Sequence, residues 1–360
     1  MDGGRTLSRM QHRLVRWIPA VVAPVVVAGV VAAPLVAAAT PPNLPNRSPQ
    51  QVLELVAKAK DIAGFSGTVR QTSDLGLPNL PTTGAGTDSD TATTLGLIAG
   101  DHTAKVSVAG RSRERIAILD SSAERDVVRN GATVWLWNSK TSAATRITAS
   151  GRTGAEPETD GTTTSPAQLA DTLLSRIDGS TRVSVDRAQT VAGRDAYTLV
   201  LAPRTTATTV RSVRIAVDAK TGLPLDVQVI ARGGTAPAFE TGFTDISYAV
   251  PAASTFVFTP PSNAKVTSKT LTAPERRTEG TGHALPVRPT VSGSGWATIV
   301  TVPAADVPSS LADNATAKRL TTPVAGGRVL RTALVNVLLT NDGRVLAGAV
   351  PVSALQSAAG

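Results

Sequence analysis

Residues 210–232, VRSVRIAVDAKTGLPLDVQVIAR, contain two short runs in which apolar and polar side chains alternate on either side of the turn DAKTGLP. The apolar members of the two runs are Val213, Ile215, Val217, Leu225, Val227 and Val229. Because alternate residues of a strand point to the same face, each run predicts a strand with one buried and one solvent-facing side. Gly222 supplies the positive φ of a tight turn, so the stretch predicts an antiparallel hairpin.

Segments with a strand-like pattern continue on both sides of this hairpin. Before it lie FSGTVRQTS, HTAKVSVA, RERIAIL, RDVVRN, ATVWLWN, AATRIT, TRVSVDRAQTV and RDAYTLVLAP, and after it lie FETGFTDISYA and STFVFTPP. The residues between them include Gly, Asp, Asn and Ser, which favour turns. A composition rich in Thr, Ala, Val, Gly and Pro also favours strands and turns over long helices.

Two helices are predicted among these strands. The first begins at Ser48 and Pro49, and Gln51 completes a capping box. The second begins in the same way at Ser165 and Pro166. Its apolar side consists of Leu169, Leu173, Leu174 and Ile177. Together with the strands, these helices predict a mainly β (α+β) fold.

The strand within NGATVWLWNSKT, residues 130–141, is apolar on both faces. Trp135 and Trp137 share one face, and Val134 and Leu136 share the other. Such a strand needs a packed or lidded interior on one side and a helix or loop on the other. We expect the Trp135/Trp137 face to line the interior of a curved sheet and the Val134/Leu136 face to pack outside.

Charge and cysteine content exclude several classes of site. The formal net charge of the 360 residues is +9, but it includes several Arg residues in the first 16 positions. The remaining cations form no basic run with interleaved aromatics, so nucleic-acid binding is not predicted. The absence of Cys excludes disulfides, thiolate zinc sites, Cys nucleophiles and a lipidated Cys anchor.

The N-terminal residues 1–39 predict a secretory signal peptide. A basic segment is followed by the uncharged run WIPAVVAPVVVAGVVAAPLVAAA, which ends in small residues at Ala37–Ala39. The alternative is an uncleaved membrane anchor, because an apolar run of about 20 residues is long enough to span a bilayer. Either alternative predicts a protein at the extracytoplasmic face of the membrane or secreted. Residues 40–47 form a Pro-rich spacer.

The sequence predicts no catalytic, metal or cofactor site. Its three His residues, His12, His102 and His283, are isolated, and the common nucleophile, phosphate-loop and dinucleotide motifs are missing. Paired carboxylates on a sheet could hydrolyse glycosides, but such sites usually contain aromatics that stack sugars, and only 3% of this chain is aromatic. An envelope hydrolase is therefore the disfavoured alternative.

Apolar residues of the strands are the candidate ligand site. The functional hypothesis is an apolar cavity for an acyl chain, and the alternative is an ordinary core, since both have the same apolar lining. The candidate lining residues are Phe65, Val69, Leu75, Leu77, Trp135, Trp137, Tyr197, Leu199, Phe243, Phe256 and Phe258.

Residues 48 to about 266 resemble the LolA/RseB (MucB) superfamily in its actinobacterial form. The resemblance rests on the order of the leader, the capped helix, FSGTVRQTSDLGLPNLP, RDVVRNGATVWLWNSKT, VAGRDAYTLVLAP, VRIAVDAKTGLPLDVQV and FTDISYAVPAASTFVFTPP. VAGRDAY and VDAKTGLPLDV are its most specific parts. The resemblance implies a half-open antiparallel β-barrel wrapped by helices, with an apolar cavity.

Together with the polar, patternless stretch before residue 293, the resemblance gives a domain plan, and three functional hypotheses remain. Residues 48–266 would form the lipid-binding domain, 267–292 a linker and 293–360 a small α+β C-terminal domain. The first hypothesis is a carrier or envelope sensor that binds lipid or lipoprotein acyl chains. The second is a regulatory module that binds a membrane-bound anti-sigma factor or transporter through its C-terminal domain, and the third is the envelope hydrolase.

Overall fold

The computed structural model describes residues 42–77, 100–120, 123–150, 165–272, 289–307 and 320–360. The predicted leader, residues 1–39, and His283 lie outside these ranges. Three α-helices lie wholly within them: α1 (Pro49–Lys58), α2 (Pro166–Leu174) and α3 (Val352–Ala359). No helix of the described ranges is long and apolar enough to cross a membrane.

A large sheet of twelve strands is formed by the described residues between 64 and 272. Its strands are β1 (Gly64–Ser73), β2 (His102–Ala109), β3 (Arg113–Asp120), β4 (Ala123–Asn130), β5 (Thr133–Asn138), β6 (Ala143–Ser150), β7 (Thr181–Val191), β8 (Arg194–Pro203), β9 (Val210–Asp218), β10 (Pro224–Ala231), β11 (Pro237–Ser247) and β12 (Lys265–Thr272). Their order is β12-β6-β5-β4-β3-β2-β1-β11-β10-β9-β8-β7. The two edge strands are therefore β12 and β7.

The predicted β9–β10 hairpin is present. Ile215 pairs with Val227 and Val213 with Val229, so the apolar residues of the two strands share one face. The turn contains Gly222 at φ +77°. A register shift between Pro224 and Asp226 interrupts the alternation, so Leu225 packs in a different apolar cluster from Val227.

Strand β12 departs from the sequence predictions in two ways. It runs parallel to β6, with Lys265 opposite Ala143, so the sheet is not antiparallel throughout. It also includes residues 267–272, which the sequence assigns to the linker. The reason is that the chain leaves β11 in the middle of the sheet and returns to the edge at β6, where the backbone of β12 finds free hydrogen-bonding groups.

The face of the sheet that contacts helices α1 and α2 is called the inner face here. Ser48 and Ser165 cap the two helices in complete capping boxes, and the first of these boxes is predicted from the sequence. Helix α1 packs against β7 and β8, and α2 packs against β10 and β11. The resulting core contains Val52 and Val56 of α1, Leu169 of α2, and Leu199 and Ile215 of the strands.

The large sheet is curved. Strand β7 contacts β11 although three strands separate them in the hydrogen-bonded order. A mainly β (α+β) fold with one large curved sheet and few helices confirms the predicted fold class. The helices cover the inner face of β7–β11, so this half of the sheet encloses a packed core.

A second sheet is formed by residues 290–348 of the described chain. It contains β13 (Thr290–Ser292), β14 (Ile299–Val302), β15 (Thr322–Val324), β16 (Gly327–Leu330), β17 (Asn336–Thr340) and β18 (Val345–Gly348). The order is β13-β14-β18-β17-β16-β15. Helix α3 packs on β17 and β18, and Leu355 joins Leu338 and Leu346 in a separate core. This small α+β unit agrees with the predicted C-terminal domain, while the exact domain boundaries stay a prediction.

Candidate functional site

A pocket of about 370 Å³ lies where the second sheet meets the large one. It is called the junction pocket. Its lining is Leu173, Arg176, Ile177, Asp178, Ser180, Thr181, Leu201, Gly295, Trp296, Thr298 and Ala349. Leu173 and Ile177, which the sequence places on the apolar side of the second helix, form one wall. Leu201 of β8, Trp296 and Ala349 contribute further apolar surface.

Trp296 is held in the junction pocket by a hydrogen bond. Its indole Nε1 donates to Thr181 Oγ1 at 2.8 Å, and Thr181 is buried at the start of β7. The neighbouring Gly295 has φ +53°, and a Cβ there would meet Ser180 Oγ. Glycine therefore lets the Trp296 loop approach β7 closely, and the hydrogen bond fixes the ring as a wall of the pocket.

The two sheets are joined by hydrogen bonds beside this pocket. Thr209 N donates to Ala349 O at 2.9 Å, and Thr208 Oγ1 donates to the same carbonyl at 2.6 Å. Thr209 Oγ1 also donates to Leu334 O. Leu334 and Ala349 are buried in the core that contains Leu201 and Val213, so the junction is part of a shared apolar core.

The rim of the junction pocket is polar. Asp178 follows helix α2, and its Oδ1 accepts hydrogen bonds from the N–H of Ser180, at 2.8 Å, and from the Ser180 hydroxyl. These bonds lower the pKa of Asp178, the hydroxyl bond having the largest effect. Asp178 is consequently ionised at neutral pH, and Arg176 places a cation on the same rim. An apolar interior with a charged rim suits an amphipathic ligand.

A second pocket, of about 320 Å³, surrounds Tyr197. Arg47 Nε donates to Tyr197 Oη at 3.2 Å, and the guanidinium lies 5.5 Å from the ring centroid. Tyr197 Oη in turn donates to Pro45 O at 3.1 Å. These bonds tie the spacer before α1 to strand β8. The polar part of Tyr197 thus has a structural role, while its ring belongs to the core.

The predicted lining residues separate into two groups by sheet face. Leu199 pairs with Ile215 on the inner face. Following the strand pairs across the sheet from there places Val69, Phe243 and Leu136 on the same face. The predicted residues that are buried in the inner-face clusters are Phe65, Val69, Leu75, Tyr197, Leu199 and Phe243, and Leu77 packs against them. None of the predicted residues lines the junction pocket.

Trp135 and Trp137 lie on the opposite, outer face. Trp135 pairs with Val128, whereas Leu136 pairs with Val127 on the inner face. The Phe258 ring lies 5.5 Å from the Trp135 ring and 6.1 Å from the Trp137 ring, measured between centroids. The expectation that the indoles face inward and Val134 and Leu136 outward is therefore reversed.

Residues 252–264 explain why the indoles face outward. After β11 this segment crosses the outer face on its way to β12, and its turn Ala253–Phe256 contacts β3 and β4. Phe256 is 1% exposed, and Arg113 lies over its ring at 5.7 Å. STFVFTPP, which the sequence predicts as a strand, is thus a turn and loop that cover the tryptophans. One cavity cannot be lined by both groups of predicted residues.

The two most specific sequence motifs meet in a buried ion pair. Arg194 of VAGRDAY donates from Nε to Asp218 Oδ2 of VDAKTGLP at 2.7 Å. Tyr248 donates to the same oxygen at 3.0 Å, and the backbone N–H groups of Lys220 and Thr221 donate to Asp218 Oδ1. Two backbone groups of the β9–β10 turn and two side chains from neighbouring parts of the sheet thus bind the same carboxylate. These motifs have a structural role at the end of the sheet away from the junction pocket.

Sequence reasoning missed the main residues of the junction pocket. Trp296 lies outside the N-terminal sheet region that contains the candidate aromatics, and Leu201 alternates with other apolar residues of β8 like any core position. The rarity of Trp, of which the chain has four, was the one signal that singled out Trp296. Among the described residues, no group of three or more potential metal-ligating side chains is present.

Comparisons with known proteins give matches among solved structures. The complex of Pseudomonas aeruginosa MucA and MucB matches with 17% identity and a TM-score of 0.44, covering 86% of this chain and 96% of the matched one. A LolA superfamily protein from Nitrosomonas europaea matches with 14% identity and a TM-score of 0.23, covering 59% and 99% of the respective chains.

A putative outer membrane lipoprotein-sorting protein domain from Vibrio parahaemolyticus also matches, with 11% identity and a TM-score of 0.26, covering 58% of this chain and 97% of the other. No protein-family model matches the chain, and the search of curated proteins found no match. Two of these matched structures carry the names MucB and LolA, which are names within the superfamily that the sequence motifs resemble. The actinobacterial subtype stays a prediction.

Proposed function

We propose that the protein binds an acyl chain of a lipid or lipoprotein in the junction pocket, outside the cytoplasmic membrane, as a carrier or envelope sensor. The observation that supports this function is the pocket itself, with a volume of about 370 Å³ and a mostly apolar lining. Small-molecule sites usually have volumes of about 300–1,000 Å³ and apolar walls with few polar groups.

The chemistry of the pocket fits an acyl chain with a polar end. Leu173, Ile177, Leu201 and Trp296 offer contact surface, and each methylene that leaves water on binding contributes about 0.8 kcal/mol. The polar end of the ligand would lie at the rim, where the Arg176 guanidinium can bind a carboxylate or phosphate.

A pair of tryptophan variants tests this function. Trp296→Ala removes an indole from the junction pocket, and Trp135→Ala removes a similarly half-buried indole from the outer face. Protein purified from its host is extracted with organic solvent and the lipids are identified by mass spectrometry. Binding of a fluorescent fatty acid is then titrated for both variants, and far-UV circular dichroism confirms that each is folded.

The expected result is co-purifying acyl lipid in wild type, at least tenfold weaker fatty-acid binding by Trp296→Ala, and near wild-type binding by Trp135→Ala. Wild-type protein that yields no lipid and binds no fatty acid would overturn the proposal. Equal loss in both variants would place the ligand elsewhere and would overturn it as well.

A partner-binding function is the second candidate. Strand β13 is the edge of the second sheet, its residues are exposed, and Val291 is 58% exposed. Edge strands of this kind can pair with an added strand of another protein. MucB, one of the structural matches, was solved in a complex with MucA. Capture of a membrane-bound anti-sigma factor or transporter by the whole chain, lost on Val291→Lys while fatty-acid binding persists, would favour this function.

A further inference from the structure

The free edge of the large sheet at β12 lacks carboxylates. Residues 133–150, which contain β5 and β6, have no Asp or Glu, and neither do residues 246–272, which contain the crossing segment and β12. The two ranges are adjacent in the structure because β12 pairs with β6 and Phe258 packs on Trp135. The acid-free ranges therefore form one continuous surface, called the β12 edge.

Four cations lie on the β12 edge. Lys140 is in the β5–β6 turn, Arg146 is on β6, and Lys265 and Lys269 are on β12. All four are exposed. Arg146 lies 5.9 Å from the Trp135 ring centroid, and within the described residues none of the four forms an ion pair with a carboxylate. No carboxylate of the described ranges is paired with the positive charge of this surface.

Apolar side chains are interspersed with these cations. Val266 is 50% exposed and pairs with Ala144, which pairs with Trp137, so the three share the outer face. Val257 is 60% exposed and directly precedes Phe258, whose ring lies against both indoles. Arg146 pairs with Trp135 and so lies on this outer face. Lys265 and Lys269 alternate with Val266 along β12 and lie on its other side, so the edge as a whole is both apolar and basic.

We propose that the β12 edge docks on an anionic lipid surface. Lysine and arginine attract acidic headgroups, while tryptophan and apolar side chains favour the boundary between headgroups and acyl chains. A nucleic acid or an acidic protein would complement the positive charge but would offer no apolar surface to the exposed valines. The opposite edge strand, β7, has mixed charge, because it carries Asp186 together with Arg182 and Arg187. Membrane contact would thus orient the sheet with β12 toward the lipid and β7 away from it.

The absence of cysteine permits a local test in the whole chain. Ser268→Cys places a single thiol on β12, and Ser184→Cys places one at an exposed position of β7 as the matched control. Each thiol is labelled with the polarity-sensitive dye NBD. Vesicles of phosphatidylcholine alone, and vesicles with 30% phosphatidylglycerol, are added to each protein. The apolar N-terminal segment is the same in every arm, so it cannot produce a difference between the two labels.

The proposal predicts at least a twofold rise of NBD emission for Ser268→Cys with phosphatidylglycerol vesicles and little change with phosphatidylcholine. The Ser184→Cys label should respond to neither. Adding Lys265→Gln and Lys269→Gln should raise the phosphatidylglycerol concentration for half-maximal response at least tenfold, since each cation near an anionic surface strengthens binding about fivefold. The control is Lys58→Gln with Lys220→Gln, which removes the same charge at exposed positions elsewhere. This pair should change the phosphatidylglycerol concentration for half-maximal response less than twofold.

Three results would overturn the proposal. One is an equal response of the two labels, and another is an equal effect of the two lysine pairs. The third is a response to soluble polyglutamate or RNA as large as that to the vesicles, which would assign the edge to an acidic macromolecule. Because fatty-acid binding in the junction pocket is measured separately, failure here leaves the proposed function untouched.

Discussion

Arg194 and Asp218 are joined by two hydrogen bonds, from Nε to Oδ2 at 2.7 Å and from Nη2 to Oδ1 at 3.4 Å. Asp218 is fully buried, and Arg194 also lies 5.0 Å from the Tyr248 ring centroid. Burial alone would raise the pKa of Asp218, but the bonds from Arg194, the turn N–H groups and Tyr248 outweigh it, so the pKa is lowered. The turn that closes the β9–β10 hairpin is therefore built around a charged carboxylate.

Replacing this arginine should destabilise the protein strongly. Arg194→Met leaves the buried Asp218 charge without its cation, which we expect to lower the free energy of unfolding by about 3 kcal/mol. Arg214→Met is the control, because its partner Asp186 is largely exposed, and it should cost less than about 1 kcal/mol. Urea unfolding of both variants measures the difference, and similar losses would contradict the role assigned to the pair.

The stability of the protein should also depend on pH through Asp226. The direction is opposite to that of Asp218, because the pKa of Asp226 is raised and not lowered. Burial, and next the charge of Glu240, raise the pKa of Asp226 to about 8. The folded chain therefore keeps a proton that the unfolded chain releases near pH 3.8. The protonated Asp226 therefore contributes its full stabilisation of the folded state below pH 3.8, and this contribution is lost as the pH rises through about 8. The free energy of unfolding falls by at most about 1.4 kcal/mol per pH unit in this range.

Asp226→Asn should remove this dependence. The melting temperature of the variant should exceed that of wild type at pH 8, and the difference should shrink toward pH 4. Thermal unfolding from pH 4 to 9 measures it, with the exposed Asp245→Asn as control. Parallel profiles of Asp226→Asn and wild type would show that the carboxyl is not protonated in the folded protein.

Gly222 allows helix α1 to approach the β9–β10 turn. It has φ +77°, and a Cβ there would collide with the carbonyl of Leu55. Gly233 also has a positive φ, +90°, but a Cβ there would meet nothing within 4 Å. Gly233→Ala should cost about 1–2 kcal/mol for the backbone strain, and Gly222→Ala at least about 2 kcal/mol more for the clash. Equal costs in chemical denaturation would mean that α1 does not lie against the turn.

Phe258 covers the outer-face tryptophans. Phe258→Ala should expose both indoles, shift tryptophan emission to longer wavelength, and lower the free energy of unfolding by about 2 kcal/mol. The neighbouring Val257 is exposed, so Val257→Ala should change neither quantity appreciably. Fatty-acid binding should be retained in both variants, since neither residue lines the junction pocket. An unshifted emission spectrum for Phe258→Ala would contradict the packing.

Local features of the fold could be predicted from the sequence. The β9–β10 hairpin follows from alternation and one glycine, and the starts of α1 and α2 follow from Ser-Pro and a glutamine three residues after each serine. These features depend on neighbours within a few residues, where the physical rules are strong.

Long-range features could not be predicted in the same way. The two-residue period of a strand places Trp135 and Trp137 on one face. It does not determine whether that face is the inner one, because this depends on the path of residues 252–264 across the sheet. The junction pocket combines the end of α2, the start of β7 and a loop more than a hundred residues away around Trp296. No single stretch of sequence carries the signal of such a site.

The proposed site of an acyl chain is the junction pocket and not the surface beside Trp135 and Trp137. The most direct measurement is quenching of tryptophan fluorescence by a nitroxide-labelled fatty acid in two variants. One retains only Trp296 (Trp17→Phe, Trp135→Phe, Trp137→Phe), and the other retains only the outer-face pair (Trp17→Phe, Trp296→Phe). We predict saturable quenching of Trp296 and no saturable quenching of the pair. Saturable quenching of the pair, with Trp296 unaffected, would contradict the account.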